Sequence, residues 1–247
     1  MSRPEKLRLD RLLVERGLAE SGARAQALIL AGRVFRGQER LDKPGLPVPA
    51  DTALTVRATE EHVGRGAHKL IAGLDAFDID PTGTICLDVG ASTGGFTDVL
   101  LRRGAARVYA VDVGYGQLDA RLRADARVVV LERTNARHLT TTQVPEPIGL
   151  LVCDASFISL RTVLPAPLAL TRPGAALVAL IKPQFEVGKG RVGKGGVVRD
   201  PALHQEVCDA IGDWLGGLPG WTVLGIVPSP LLGPAGNREF LIGARHA

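Results

Sequence analysis

Two hydrophobic rhythms follow one another along this chain. From Leu7 to Gly32 apolar residues recur every three or four positions, first in "LRLDRLLVERGL" and then in "SGARAQALILAG". That is the spacing of one buried helix face, and Ser21 stands where it can accept a bond from the first-turn amides of the second helix. "RVFRGQERL" and "ALTVRA" then read as short strand-like pieces. Beyond the charged stretch "ATEEHVGRGAH" the rhythm changes to compact apolar runs alternating with amphipathic segments. The runs predict strands at 85–89, 107–112, 128–131, 150–154, 176–182, 222–227 and 239–243, with helices between most of them. Such alternation folds as a mostly parallel sheet covered on both faces. The expected fold class is therefore α/β, a Rossmann-like sheet preceded by a small α+β domain. The expected division is 1–59 for the small domain, 60–66 for a linker and 67–247 for the sheet domain.

Composition narrows the classes without naming one. With 247 residues, 45% of them hydrophobic, the chain can bury a substantial core. The longest apolar stretches, such as Ala175 to Ile181, fall short of the roughly 20 residues of a spanning helix, and the N-terminus has no signal-peptide core, so a cytoplasmic protein is expected. Cys86, Cys153 and Cys208 are odd in number and show no CxxC pattern. Buried free thiols are expected, with neither a disulfide framework nor a metal site. The formal net charge is +4, and most of that excess lies within residues 1–66. Positive excess in a small leading domain attracts a polyanion such as RNA. Arg8, Arg11, Arg24, Arg33 and Arg36 intersperse there with apolar positions, one face for packing and the other for phosphate. The stretch resembles the S4 RNA-binding fold in its Leu9-Asp10-Arg11 and Gly32-Arg33-Val34 signatures.

The chemistry-bearing segment is "CLDVGASTGGFTDVLLRRGA". It reads as a strand, a turn through Gly90 to Gly95, and a helix whose free amides face a ligand. Asp112, at the end of "RVYAVDV", stands where a carboxylate can accept both hydroxyls of a ribose. Together these features imply a nucleoside-containing cofactor. The glycine spacing departs from GxGxxG, and dehydrogenases share the arrangement. Asp88, placed to hold an amino-acid ammonium, and the late strand pair favour S-adenosylmethionine.

Ligands of an open α/β sheet sit beyond the carboxyl ends of its strands. Asp154 ends "GLLVCD", Lys182 ends "ALVALIK", Glu239 begins an expected antiparallel last strand, and Lys69 lies on a helix able to reach over the site. Two ammonium and two carboxylate groups around one cavity suit proton removal from a weakly acidic hydroxyl, since a desolvated lysine can serve as general base near neutral pH. Lys182, ending a buried strand, is the expected base. In-line attack on an activated methyl then requires mainly placement.

Nearly the whole chain resembles the TlyA family, an S4 domain followed by an FtsJ-like methyltransferase domain. The resemblance rests on Gly64-Arg65-Gly66-Ala67-His68-Lys69-Leu70, "LDVGASTGGFTDVLL", "VDVGYGQL", "RTNAR", "DASFISL", "KPQFEVGK" and "GNREFL" in that order. The resemblance implies a Lys69-Asp154-Lys182-Glu239 catalytic tetrad. It also implies S-adenosylmethionine contacts from Gly90, Ala91, Ser92, Gly94, Gly95, Asp112, Asn135 and Asp154. It implies 2′-O-methylation of cytidine in the rRNA of the 50S subunit and in some members the 30S subunit, loss of which reduces capreomycin and viomycin sensitivity. The extent of the chain matches shorter members that modify only the large subunit, and a monomer without metal or membrane is expected. Some members carry an Arg-x-Trp-Val segment between the domains, where this chain reads Glu60-Glu61-His62-Val63.

The remaining motifs carry milder expectations. Lys189 and Arg191, with Lys194 and Arg199, sit in a glycine-rich loop that could fold over RNA phosphates. Phe157 is expected to pack in the core rather than stack on a base, and His204 to lie on the surface. Cys153 adjoins the site without the setting of a covalent pyrimidine methyltransferase, and "DASF" stands where amino-group methyltransferases carry Asn-Pro-Pro-aromatic, which favours an oxygen acceptor. A non-catalytic assembly factor is the alternative, contradicted by the intact tetrad. A membrane-lytic role, suggested by the family's haemolysin label, has no basic amphipathic or spanning helix behind it.

Overall fold

A computed structural model describes residues 6–56, 62–188 and 190–247. The chain forms two compact units, Met1–Glu61 and His62–Ala247.

The first unit contains β1 (Lys6–Arg8), α1 (Leu9–Glu15), α2 (Gly22–Leu30), β2 (Val34–Arg36), β3 (Glu39–Arg40), β4 (Pro47–Pro49) and β5 (Thr55–Val56). β1 pairs with β4, and β2 lies between β3 and β5, all antiparallel. The helical spacing does what it predicts: Leu9, Leu12 and Leu13 of α1 and Ala25, Leu28 and Ile29 of α2 are buried together with Val34, Leu41 and Val48. Ser21 Oγ accepts from Arg24 N at 3.2 Å, the expected cap. The end of "ALTVRA" and the Glu60-Glu61 pair lie outside the described residues.

The second unit opens with α3 (Gly66–Ala76), β6 (Ile85–Val89), α4 (Gly95–Arg102), β7 (Arg107–Val111), α5 (Ala120–Arg123) and β8 (Val128–Leu131). It continues through β9 (Ile148–Cys153), α6 (Leu160–Val163), α7 (Pro165–Leu168), β10 (Thr171–Ile181), α8 (Pro183–Glu186), α9 (Pro201–Gly216), β11 (Trp221–Pro228) and β12 (Phe240–His246). All seven expected strands join one sheet in the order β11-β12-β10-β9-β6-β7-β8. β10, β9, β6, β7 and β8 run parallel, and β12 is antiparallel to both its neighbours. Successive side chains alternate between two cores, as a doubly covered sheet requires. Leu150 and Val152 pack with Leu70, Leu74 and Leu100 from α3 and α4, while Leu151 and Cys153 pack with Val207, Ile211 and Leu215 from α9.

Two expectations about single residues fail here. His204 is buried rather than on the surface, because it shares the α9 stripe of Val207, Cys208 and Ile211. Its Nε2 is satisfied by the Val198 carbonyl at 2.9 Å. The strand ends also shift: Asp112, Asp154, Lys182 and Glu239 each stand one residue outside the ladder. For Lys182 the cause is Pro183, which has no N–H for pairing and opens α8 at its first position. All three cysteines are free and buried. Among the described residues no helix is long and apolar enough to cross a membrane.

Candidate active site

Strand order reverses between β6 and β9, and three cavities meet at their carboxyl ends. The chain leaves β6 through Gly90, whose φ is +84°; a Cβ there would stand 2.9 Å from Ala155 N. Only glycine lets this turn approach the loop after β9 so closely. Gly94 starts α4 at φ +98°, where a Cβ would overlap Leu122. Asp112 ties the turn to the end of β7: its Oδ2 accepts from Ser92 N at 2.8 Å and its Oδ1 from Gly114 N at 2.7 Å. The first cavity, about 340 Å³, is lined by Asp112, Gln117, Asn135 and Val163 among others. The second, about 150 Å³, is lined by Gly66, Ala91, Thr93 and Gly95. Gly90, Ser92 and Asp154 line both of these and a third of about 510 Å³. Of the residues expected to hold a cofactor, Gly94 alone lines none of the three, and its place is dictated by packing against α5. Asp88 is a correction. It is fully buried beneath the turn, away from these cavities, where its Oδ2 accepts from Thr97 Oγ1 at 2.7 Å. Desolvation pushes its carboxyl up to about 7, so it is poorly suited to hold a ligand ammonium directly.

The third cavity collects the charged set. Lys182 Nζ stands 2.6 Å from Asp154 Oδ1 and donates to Asp154 O at 3.0 Å and to Ser156 Oγ at 2.8 Å. Lys69 Nζ donates to Glu239 Oε2 at 2.6 Å, both side chains being buried. All four line this one cavity, because β9 and β10 are parallel neighbours and β12 returns antiparallel beside β10. Cys153 faces the other way into the core. Burial pushes its thiol up to about 12, which leaves it unfit as a nucleophile.

Three supporting residues escape a reading by sequence. Ser156 is the third acceptor around Lys182. Glu186 accepts from Ser159 Oγ at 2.6 Å and from Leu160 N at 2.8 Å, stapling α8 to the loop that carries Asp154; burial raises its carboxyl above the usual range. Asn237 accepts from Val198 N and donates to Gly196 O, each at 2.9 Å, joining two walls of the large cavity. Their only sequence signal is position inside "DASFISL", "KPQFEVGK" and "GNREFL".

Phe157 also corrects an expectation: it is 90% exposed, not in the core. It follows the end of β9 at φ +65°, which turns the ring outward over the cavity to rest 5.1 Å from the Phe185 ring. Among the arginines expected to meet RNA, Arg8 pairs with Asp10, Arg11 with Glu15, Arg36 with Glu39 and Arg191 with Glu206. Arg24 and Arg33 form no ion pair among the described residues, and Lys189 lies outside them. Arg65, Arg133, Arg137, Lys194, Arg199 and Arg238 are likewise exposed and without an ion pair among the described residues. Five of these six lie next to or within two residues of a residue lining the three cavities, and Arg199 follows Val198, which Asn237 anchors.

A glycine turn, a carboxylate at the end of β7 that lines the cavity beside it and a lysine–carboxylate set on one rim mark a group-transfer enzyme of the methyltransferase type. Residues 62–246 match the family model of the FtsJ-like methyltransferases, and residues 7–53 match that of the S4 domain. The 16S/23S rRNA (cytidine-2'-O)-methyltransferase TlyA of Mycobacterium tuberculosis is 52% identical over 242 residues, spanning 97% of this chain and 90% of that protein. Hemolysin A of Brachyspira hyodysenteriae is 38% identical over 237 residues, 95% of this chain and 98% of that one. A solved structure from Streptococcus thermophilus is 38% identical with a TM-score of 0.74, covering 100% of this chain and 90% of its own. The chain belongs to the TlyA family of FtsJ-like methyltransferases.

Proposed function

We propose that this chain transfers a methyl group from S-adenosylmethionine to the 2′-hydroxyl of a cytidine in ribosomal RNA. The observation that carries the reading is the shared wall at Asp154, which lines the two cavities of the glycine turn and the cavity holding both lysines. The residues present fit the cofactor: a turn kept open by Gly90, and Asp112 and Asn135 in the wall of the 340 Å³ cavity. When bound, it supplies an activated methyl group. The chain then supplies placement and removal of one proton.

In this reading Gly90, Ala91, Ser92, Gly95, Asp112, Asn135 and Asp154 form the cofactor's wall, and Gly94 acts through the shape of the turn. Lys182 takes the 2′-hydroxyl proton on Nζ. Asp154, 2.6 Å away, orients that amine and stabilises the ammonium it becomes. Lys69, held by Glu239, donates a hydrogen bond to the attacking oxygen. Residues 1–59 capture RNA through Arg8, Arg11, Arg24, Arg33 and Arg36, residues 67–247 carry the chemistry, and 60–66 connect them. Exposed ion pairs such as Arg11–Glu15 are weak enough to exchange for phosphate. The unpaired cations around the cavities, with Lys189 and Arg191, extend the contact.

The test is transfer of labelled methyl to separated 50S and 30S subunits that lack the modification, with wild type and Lys182→Ala. Label in cytidine ribose of the 50S subunit, lost by at least about a hundredfold in the variant, is the expected result. Label in the 30S subunit as well extends the substrate range. RNA binding without label in either subunit would instead favour an assembly factor.

A further inference from the structure

The 510 Å³ cavity is lined by eight polar side chains, and seven are already engaged. Lys69 is bonded to Glu239, and Lys182 to Asp154 and Ser156. Ser92 is bonded to Gln117, and Asn237 to Val198 and Gly196. Gln184 is the exception. Its Oε1 is shielded from solvent and accepts no hydrogen bond, and its amide nitrogen has no partner among the described residues.

A shielded, unpaired carboxamide oxygen is a costly state that a ligand supplying a donor would relieve by drawing the side chain into the cavity. The position is set by the backbone: Pro183 opens α8 directly after Lys182, and Gln184 and Phe185 follow on the same short helix. The Phe185 ring and the exposed Phe157 ring line the same cavity, an apolar face suited to a flat heterocycle. One neutral carboxamide beside two aromatic rings, in a cavity whose charges are paired with one another, suits the edge of an uncharged base.

We propose that Gln184 determines base specificity, its carboxamide pairing with the Watson–Crick edge of the nucleoside whose ribose is methylated. The proposal rests on the reading of the site as an RNA ribose methyltransferase. Cytosine presents an exocyclic amine beside a ring acceptor, which match the amide oxygen and amide N–H of one carboxamide in a single orientation. Uracil presents an acceptor where cytosine has the amine, so it meets the amide oxygen with oxygen and forces the carboxamide to turn over.

The experiment measures kcat/KM on 50S subunits lacking the modification, carrying either cytidine or uridine at the nucleotide that wild type labels. Wild type is expected to favour cytidine by about tenfold. Gln184→Met, which keeps the length and removes both hydrogen-bonding groups, should lose about tenfold on cytidine and little on uridine, bringing the ratio near one. S-adenosylmethionine affinity, measured by calorimetry, should be unchanged. A retained cytidine preference in the variant, an equal loss on both substrates, or a wild type indifferent to the base would each overturn the assignment. If Gln184→Met does not fold, seen as lost cofactor binding, Gln184→Ala is read by the same ratio. Absence of label from wild type on any rRNA would overturn the ribose-methyltransferase reading itself, an outcome distinct from these.

Discussion

Asp88 shows how a single buried carboxyl ties stability to pH. Desolvation is the largest cause of its raised pKa, with Asp154 and Asp112 adding repulsion against a partial offset from Thr97. The folded state therefore prefers the neutral acid, while an unfolded chain ionises near 3.8. The favourable contribution is fully present below that value and is lost as pH rises through about 7. Urea unfolding of wild type should accordingly show stability declining between about pH 4 and pH 8 relative to Asp88→Asn, which carries no such titration. A parallel pH profile for the two proteins would reject this account of Asp88. Asp10 in the first unit has the opposite sign. Hydrogen bonding from Arg8 holds its carboxyl at about 2, so its contribution is present above the unfolded value of 3.8 and is lost as pH falls from there through about 2.

At the scale of elements, the site depends on two segments approaching each other more closely than a Cβ allows. The turn after β6 and the loop after β9 touch at Gly90 and Ala155. Gly90→Ala combines a left-handed backbone conformation with a clash against main chain, so it should destabilise the fold by about 2 kcal/mol or more. It should also displace Ser92 and Asp154 together. Cofactor affinity measured by calorimetry should fall at least tenfold, and unchanged affinity would mean the loops can separate without consequence. The loop after β9 is held from its other side by Glu186 and by Lys182, so α8 and this loop act as one piece. That arrangement explains why Ser156, Phe157, Gln184 and Phe185 share a cavity although about thirty residues separate the two pairs.

Over the whole molecule, the distribution of unpaired cations becomes informative. Elsewhere in the second unit Arg103 pairs with Asp75, Arg107 with Glu146 and Arg127 with Asp125, while Arg172 and Arg245 bond to carbonyls. Beside the cavities Arg238 forms no ion pair among the described residues, and Arg133 lies 4.2 Å over the Tyr115 ring, which leaves both charges without a carboxylate. Replacing these two with Ala should weaken binding to rRNA and lower the slope of log affinity against log salt by about 1–2. An unchanged slope would place phosphate contact elsewhere.

Much of this molecule was determined by local pattern. The helical spacing of Leu9, Leu12 and Leu13, the alternation of apolar runs with helices, and the glycine turn before Asp112 are short-range features, and each formed as its spacing implies. Asp154 and Lys182 were recoverable because the ends of parallel strands gather on one rim, Glu239 because an antiparallel last strand starts on that rim, and Lys69 from its place on the helix before the first strand of the sheet. Tertiary structure decided what no spacing encodes. It put Phe157 outside, since a left-handed backbone is set by distant neighbours, whereas the burial of His204 follows from its place on the α9 stripe of Val207, Cys208 and Ile211 and was legible in the spacing. It buried Asp88 beneath its own turn. It paired the charged groups of the large cavity with one another and bonded Ser92 and Asn237 to groups around them, and so left Gln184 the one without a partner among the described residues. Periodicity records which face a residue shares with its chain neighbours; which partners meet across that face depends on contacts between residues far apart in sequence.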